Sequence, residues 1–237
     1  MNRKFANHKR IFIGLMFIVM LAGCKKSGPD AQSANNSSNT DSETLSIGEV
    51  GSMTGAEATF GTSTHNGILL ALNQVNSAGG VKGKKFKLIS LDDQGKPDQA
   101  AMAVTKLVTQ DKVIAILGEV ASSNSIAMAP VALSNKIPMV TPSSTNPKVT
   151  QLGNYIFRVC FIDPFQGTVM AKFAAEHLKA KTAAVLRDVK SDYSVGLADY
   201  FSKTYKTMGG SIVIDQSYSK GDMDFKSQLT AIRQKNP

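Results

Sequence analysis

The feature that most constrains the fold is a regular alternation, from Leu45 onward, of short apolar runs and longer segments with helical periodicity. The first strand is predicted at Leu45 to Val50 and the first helix at about Ser63 to Val75, where apolar residues recur with helical spacing. Such alternation is typical of a mostly parallel sheet, because each parallel crossover needs a connection of helical length. The sequence therefore predicts an α/β fold with helices on both faces of the sheet.

The alternation falls into two series that meet near Asp163-Pro164. We expect a first α/β lobe over residues 45–162, and a partial second α/β lobe over residues 163–237. The second series holds only two predicted strands, and the chain reaches Pro237 where a further strand would follow. A unit this small buries proportionally little surface. The sequence therefore predicts that the second lobe is incomplete.

The N-terminal residues have the layout of a signal peptide. Four positive charges precede an apolar stretch from Ile11 to Leu21, which is shorter than the roughly 20 residues that a bilayer-spanning helix needs. The stretch ends in Leu21-Ala22-Gly23-Cys24, which resembles the lipobox of bacterial lipoproteins. We expect residues 1–24 to be a lipoprotein signal peptide and Cys24 to carry the lipid. An ordinary signal peptide with an incidental cysteine is the alternative.

The segment that follows the predicted signal peptide is predicted to be a linker, and the charge of the chain argues against nucleic acid as a partner. Residues 25–44 are rich in Ser, Asn and Asp and hold no large apolar side chain, which predicts a flexible linker. Residues 1–24 hold four of the 27 Lys and Arg and none of the 18 Asp and Glu, so without them the net charge falls from +9 to +5. The lysine run at 82–87 has no aromatic platform beyond Phe86, which favours a solvated turn over a nucleic-acid surface.

Residue types that carry catalysis or bind metals are sparse and poorly spaced. Cys160 is the only cysteine apart from Cys24, and its apolar neighbours predict a buried structural thiol. His65 and His177 fall in predicted helices without a second histidine or cysteine at metal-ligand spacing. The chain has no Gly-x-Ser-x-Gly motif, and the glycines at 79–83 are too close for a phosphate loop. We therefore expect neither an enzyme nor a cofactor.

Three loops at the carboxyl ends of the predicted strands are candidates for a ligand site, because ligands of open α/β sheets bind there. They cover residues 51–61, 118–125 and 141–147. The middle loop brings hydroxyls and free amides to the start of a helix, where an anion is favoured. The alternative is that Ser122 or Ser123 only caps the helix. Ser143, Ser144 and Thr145 add hydroxyls and carbonyls at a neighbouring strand end, so the mixture could satisfy both a carboxylate and an ammonium.

The order and spacing of these segments resemble the leucine/isoleucine/valine-binding proteins of bacterial ABC importers, from Leu45 to Pro237. The matching segments are Gly51–Gly55 with Phe60-Gly61, Asn76–Gly83, Asp92-Asp93, Gly118–Ser123, Thr141–Pro147, Phe157-Arg158 with Asp163 and Gln166-Gly167, and Asp224-Phe225. The resemblance implies a two-lobed type I periplasmic-binding fold, each lobe a mostly parallel sheet with helices on both faces.

The resemblance also implies roles for five residues. Ser122 and the backbone of Thr145 would hold the α-carboxylate of the ligand, while the Ser143 carbonyl and the Thr145 hydroxyl would hold its ammonium. Phe60 would wall the side-chain pocket, and Tyr193 would close over the ligand from the second lobe. Ordinary packing is the alternative for both aromatic residues.

The function that the resemblance implies is solute capture outside the cytoplasm. A branched-chain or related amino acid would be bound by hinge closure and delivered to the permease of an ABC importer, with the protein lipid-anchored to a bacterial membrane and facing the periplasm or the cell exterior. In the family an acidic residue for the ammonium comes from later in the second lobe, beyond Pro237. The alternatives are a binder of amides, urea or aromatic acids, and a ligand-sensing receptor lobe.

Overall fold

The computed structural model describes residues 44–237. The predicted signal peptide, the predicted lipidation at Cys24 and residues 25–43 of the predicted linker lie outside the described residues. Among the helices of residues 44–237, none combines the length and apolar character that crossing a membrane requires.

The larger sheet lies in the predicted first lobe and has five strands in the order β2-β1-β3-β4-β5, all parallel to their neighbours. Its strands are β1 (Leu45–Gly51), β2 (Phe86–Asp92), β3 (Ala115–Leu117), β4 (Met139–Thr141) and β5 (Ile156–Arg158). The connecting helices are α1 (Ala58–Ser77), α2 (Pro97–Thr109), α3 (Ser122–Ser134) and the short α4 (Lys148–Gln151). The predicted strand and helix alternation is confirmed here.

The smaller sheet lies in the predicted second lobe and has two parallel strands, β6 (Thr182–Asp188) and β7 (Ser211–Tyr218). Its helices are α5 (Asp163–Lys172), which continues into a π-helical turn at Phe173–His177, α6 (Asp192–Thr207) and α7 (Lys226–Lys235). Helix α5 packs along α6. Pro164 lies in the first turn of α5, where its missing N–H removes no helical hydrogen bond.

The core of the first lobe forms where α2 and α3 pack together beside the sheet. Helix α2 buries the apolar stripe that its sequence predicts, Ala100, Val104, Leu107 and Val108. These side chains share one cluster with residues of α3 and of strands β1, β3, β4 and β5. Leu107 is fully buried, whereas Met102 on the same helix is exposed.

Several element boundaries differ from those that periodicity predicts. Helix α1 begins at Ala58, five residues before its predicted start at Ser63. Helix α3 begins at Ser122, four residues before its first apolar residue, Ile126, because its opening turn is polar. Strand β5 stops at Arg158, three residues before its apolar run ends. The chain leaves the sheet there, so Cys160 is only half-buried, and the prediction that its thiol is buried is wrong. Partial burial still raises the pKa of this thiol.

Leu107→Ala is expected to lower the free energy of unfolding by about 2–5 kcal/mol, because it removes a side chain that is fully buried between α2 and the sheet. Met102→Ala is the matched control on the same helix, since Met102 is 65% exposed, and its effect should stay within about 0.5 kcal/mol. Urea denaturation followed by circular dichroism measures both. Equal losses in the two variants would contradict the assignment of the buried face of α2.

Candidate functional site

The loops that follow β1, β3 and β4 meet at the carboxyl edge of the five-stranded sheet, because parallel strands end at the same edge. The Ser52 hydroxyl, just after β1, lies 2.9 Å from the Glu119 carboxylate, just after β3. The Thr141 hydroxyl at the end of β4 donates to the Glu119 carbonyl at 2.6 Å. The structure thus brings together the three loops that the sequence singles out.

The Glu119 carbonyl oxygen is the centre at which the second and third of these loops join. It accepts hydrogen bonds from the hydroxyls of Ser125 at 3.1 Å, Thr141 at 2.6 Å and Ser144 at 2.9 Å. The Ser125 and Ser144 hydroxyl oxygens also lie 2.8 Å apart. These buried contacts fix the loop that carries Ser122 against the loop that ends in Thr145.

Helix α3 begins at Ser122 without a side-chain cap, so the interpretation that Ser122 or Ser123 only caps the helix is wrong. The Ser122 hydroxyl instead accepts a hydrogen bond from the Asn146 amide at 3.2 Å. The first helical hydrogen bond runs from the Ser125 amide to the Ala121 carbonyl. The amides before Ser125 therefore have no partner within the helix, which is the arrangement that attracts an anion.

Ser143 and Thr145 lie beside Ser122 but use their hydroxyls differently. The Ser143 hydroxyl donates to the Val120 carbonyl at 2.9 Å, whereas the role predicted for Ser143 belongs to its carbonyl. The Thr145 hydroxyl is buried and makes no hydrogen bond of normal geometry within residues 44–237.

The Asp163 carboxylate is fully buried, and its oxygens also make no hydrogen bond of normal geometry to the described residues. Burial raises the pKa of Asp163, while the nearby Thr145 hydroxyl and the Arg158 charge oppose the rise. Thr145 and Asp163 are joined through the backbone, since the Asp163 amide donates to the Thr145 carbonyl at 3.0 Å.

Arg158 supports the 144–147 loop, a role that the sequence reasoning missed. Its guanidinium donates to the carbonyls of Ser144, Asn146 and Pro147 and to the Thr150 hydroxyl. An arginine at the end of an apolar strand was the available signal, because a cation in such a place needs several acceptors.

Phe60 and Tyr193 lie in the first turns of α1 and α6, and neither belongs to a packed core. Phe60 is 66% exposed and Tyr193 is 38% exposed, which argues against ordinary packing as their role. The Tyr193 hydroxyl accepts a hydrogen bond from the Gln166 amide at 3.2 Å. Within the described residues, the ring contacts do not join Phe60 to Tyr193.

Polar contacts cross from the predicted second lobe to loops of the first. The Asp192 amide donates to the Ser123 hydroxyl at 2.9 Å, and the Asn146 side chain donates to the Asp192 carbonyl at 2.7 Å. The Lys220 ammonium lies 2.9 Å from the Glu57 carboxylate and donates to the Gly95 carbonyl at 3.0 Å. These contacts involve the loops that bear the candidate site.

The sequence did not reveal the roles of two carboxyl groups that are buried beneath the candidate site, those of Glu119 and Asp93. Burial, with the nearby negative charge of Asp93, raises the pKa of Glu119 to about 7. Burial raises the pKa of Asp93 as well. Acidic residues directly after the apolar runs of β2 and β3 were the signal in the sequence.

Proteins of known family are similar to this chain in sequence and fold. A sequence model of the family described as periplasmic binding protein matches residues 44–237. An amino acid binding protein from Pseudomonas aeruginosa is 39% identical over 188 residues, which cover 79% of this chain and 50% of the relative. The crystal structure of the leucine binding protein LivK from Thermotoga maritima is 42% identical, with a TM-score of 0.78 over 81% of this chain and 54% of that one.

A third relative binds a different kind of molecule. The solute binding protein of an ABC transporter from Rhodopseudomonas palustris BisB5, solved with 3,4-dihydroxybenzoic acid, is 26% identical, with a TM-score of 0.74 over 82% of this chain and 52% of that one. The chain spans about half the length of the relatives it matches. The predicted type I periplasmic-binding fold is confirmed, and the chain belongs to the periplasmic binding protein family, which comprises substrate-binding proteins.

Proposed function

We propose that this chain belongs to an exported, lipid-anchored protein that captures a branched-chain or related amino acid between two lobes for the permease of an ABC importer. The observation that carries the proposal is the meeting of the N-terminus of α3 with the Ser143–Thr145 loop at one edge of the sheet. The relatives named as amino acid and leucine binding proteins support the same class of ligand.

The ligand carboxylate would bind where α3 begins. The amides of its first turn and the Ser122 hydroxyl are donors, and the partial positive charge of a helix N-terminus stabilises an anion by about 0.3–1 kcal/mol at an exposed site. Thr145 would add its backbone amide from the adjacent loop. Because the contacts at the Glu119 carbonyl hold both loops in place, these donors are already oriented before a ligand arrives.

The ligand ammonium would lie beside Thr145. The Ser143 carbonyl and the Thr145 hydroxyl can accept hydrogen bonds. The buried Asp163 carboxyl group lies near the Thr145 hydroxyl, and a positively charged ligand group there would favour its ionised form. A buried carboxylate whose oxygens lack normal hydrogen bonds favours a positively charged ligand group nearby.

An aromatic acid is the second candidate ligand, since the R. palustris relative was solved with 3,4-dihydroxybenzoic acid. Such a ligand shares the carboxylate of an amino acid but has no ammonium. The N-terminus of α3 suits both ligands equally, whereas Asp163 beside Thr145 favours the amino acid.

Hinge closure would bring the second lobe onto the bound ligand, with Tyr193 covering it and Phe60 lining its side-chain pocket. The contacts of Asp192 and Lys220 with the first lobe support this step, because they join the second lobe to the start of α3 and to the loops that follow β1 and β2. A ligand that touches both lobes would favour the closed form by its extra contacts there.

Leucine, isoleucine and valine are expected to raise the melting temperature, because a ligand at a hundredfold excess over its Kd stabilises the folded state by about 2.7 kcal/mol. Ser122→Ala should raise the Kd by roughly tenfold or more, since it removes a hydrogen bond to a charged group. Thermal melting and isothermal titration calorimetry measure the two effects. Ser134→Ala, at the exposed end of the same helix, is the matched control and should bind as the parent does.

Thermal melting with other ligands distinguishes an amino acid from an aromatic acid as the ligand class. Stabilisation by 3,4-dihydroxybenzoate but by none of the amino acids would transfer the proposal to an aromatic acid. Stabilisation only by acetamide or urea would contradict both, because neither carries a carboxylate.

Lys220→Met is expected to raise the ligand dissociation rate and the Kd by up to about fivefold, since a partly exposed ion pair contributes up to about 1 kcal/mol. The Lys220 side chain is 41% exposed, so the effect should shrink at high salt. Stopped-flow measurements of ligand release test this.

Lys226→Met is the matched control, because Lys226 is exposed and makes no ion pair within the described residues. Equal dissociation rates in the parent, Lys220→Met and Lys226→Met proteins would contradict the role of Lys220 in the closed form.

A further inference from the structure

Two carboxyl groups are fully buried where β2 and β3 end, with the Ser52 hydroxyl between them. The sheet order β2-β1-β3 places Ser52, which follows β1, between Asp93 and Glu119. Its hydroxyl oxygen lies 2.9 Å from Asp93 Oδ1 and 2.9 Å from Glu119 Oε1. All three residues are buried.

The two short distances require more hydrogen atoms than the hydroxyl can supply. A serine hydroxyl donates one hydrogen, so it serves one carboxyl oxygen and must accept a hydrogen from the other. The neighbouring backbone amides do not supply the missing hydrogen, because they already donate to Glu119. Its Oε1 accepts from the Ser52 amide and its Oε2 from the Ala121 amide. The second contact therefore needs a hydrogen that resides on one of the two carboxyl groups.

The two oxygens of the Asp93 carboxyl group also already accept hydrogen bonds from other groups. Its Oδ1 accepts from the Gly95 amide at 2.8 Å, and its Oδ2 accepts from the Asn124 side chain at 2.9 Å. Neither carboxyl group of the pair forms an ion pair with a lysine, arginine or histidine of residues 44–237.

Because neither carboxyl group has a cationic partner among the described residues, a proton can compensate part of their negative charge instead. Two buried carboxylates without a counter-ion repel each other, and a shared proton leaves one negative charge for the pair. Other charged groups also lie close to the pair. The negative charge of Asp92 disfavours ionisation of Asp93. The Lys220 ammonium and the Glu57 carboxylate, which pair with each other, lie at Gly95, whose amide donates to Asp93. Burial raises the pKa of Glu119 to about 7, in agreement with a proton held by the pair near neutrality.

The pair is connected directly to the candidate ligand site. The carbonyl of Glu119 anchors the hydroxyls of Ser125 and Ser144, the latter directly before Thr145. The Asn124 side chain, held by Asp93, lies in the first turn of α3 beside Ser122. A change in the charge of the pair would therefore act on the donors that the ligand carboxylate needs.

We propose that Glu119 and Asp93 share one proton through Ser52, and that this proton positions the loops that carry Ser122 and Thr145. Loss of the proton as the pH rises leaves two adjacent carboxylates with one hydroxyl hydrogen between them. The loops then separate and ligand affinity falls. The shared proton follows from the buried contacts alone, whereas the effect on affinity rests on the proposed function.

The direction of the effect on stability follows from the same shift. An unfolded glutamate has a pKa of about 4.3, so between about pH 4.3 and about pH 7 the folded protein holds a proton that the unfolded chain has lost. The stabilisation by this proton is complete below that range and is lost as the pH rises through about 7.

Asp93→Asn removes the negative charge that opposes ionisation of Glu119, while keeping hydrogen-bond partners for the side chain at position 93. The new amide oxygen can accept from Gly95 and Ser52, and its nitrogen can donate to Asn124 once the Asn124 amide has turned over. Asp98→Asn is the matched control, because it makes the same chemical change at an exposed carboxylate in the first turn of α2.

Carbon-13 NMR of glutamate and aspartate side-chain carboxyls in the unliganded protein tests the shared proton. In the parent and in Asp98→Asn, one glutamate or its aspartate partner should titrate near pH 7. The amide signals of Ser122 and Thr145 should shift with the same midpoint. In Asp93→Asn the carboxyl should titrate at a lower pH than in the parent, because the charge of Asp93 no longer opposes its ionisation, and the amide shifts should disappear.

Ligand affinity is measured separately by calorimetry. The Kd for leucine should rise by roughly threefold to tenfold between about pH 6 and about pH 8 in the parent, and stay nearly constant in Asp93→Asn. If all carboxyl groups titrate below about pH 5, the proposal of a shared proton is wrong. A neutral titration without amide shifts would overturn the positioning role. A neutral titration with amide shifts but no ligand binding would support the inference and contradict the proposed function instead.

Discussion

The parallel pairing of β1 with both of its neighbours is the constraint on which the rest of the structure depends. Gly51 lies opposite Asp92 of β2, and Glu49 lies opposite Leu117 of β3. With this register, the chain leaves three adjacent strands at one edge of the sheet within a few residues. Groups that are far apart in the sequence, Ser52, Asp93 and Glu119, are therefore brought within hydrogen-bonding distance. A shift of one residue would turn these side chains to the opposite face of the sheet.

Polar groups buried at such an edge are costly unless they are paired, and their pairing accounts for the shape of the candidate site. The Glu119 carbonyl collects three hydroxyl groups, and Arg158 collects three carbonyls and one hydroxyl from the neighbouring loop. An unsatisfied buried polar group costs about 1–3 kcal/mol, so each contact resists displacement of its loop. Loops held in this way can present amides and hydroxyls to a ligand with little further loss of conformational freedom.

The sequence predicted the class of fold and the order of its elements because apolar periodicity reports burial directly, as the buried stripe of α2 illustrates. It was less accurate at the start of α1, which precedes the apolar stripe of that helix, and at the polar first turn of α3, which no apolar residue marks. The three candidate loops meet as the sequence predicts, because parallel strands end at a common edge of the sheet. Glu119, Asp93 and Arg158 were missed in their roles, since burial of a charged residue depends on tertiary contacts to loops many positions away. The roles of Phe60, Ser122, Ser143, Thr145 and Tyr193 as ligand contacts stay predictions.

Asn146 connects the site to the second lobe through three different groups. Its amide donates to the Ser122 hydroxyl, its carbonyl accepts from Arg158, and its side chain donates to the Asp192 carbonyl at the start of α6. A displacement of α6 away from the first lobe must break the last of these bonds or move Asn146. Moving Asn146 would disturb both the donor at Ser122 and the support from Arg158. Because neighbouring contacts of this kind are coupled rather than additive, the geometry of the loop and the position of the second lobe should change together.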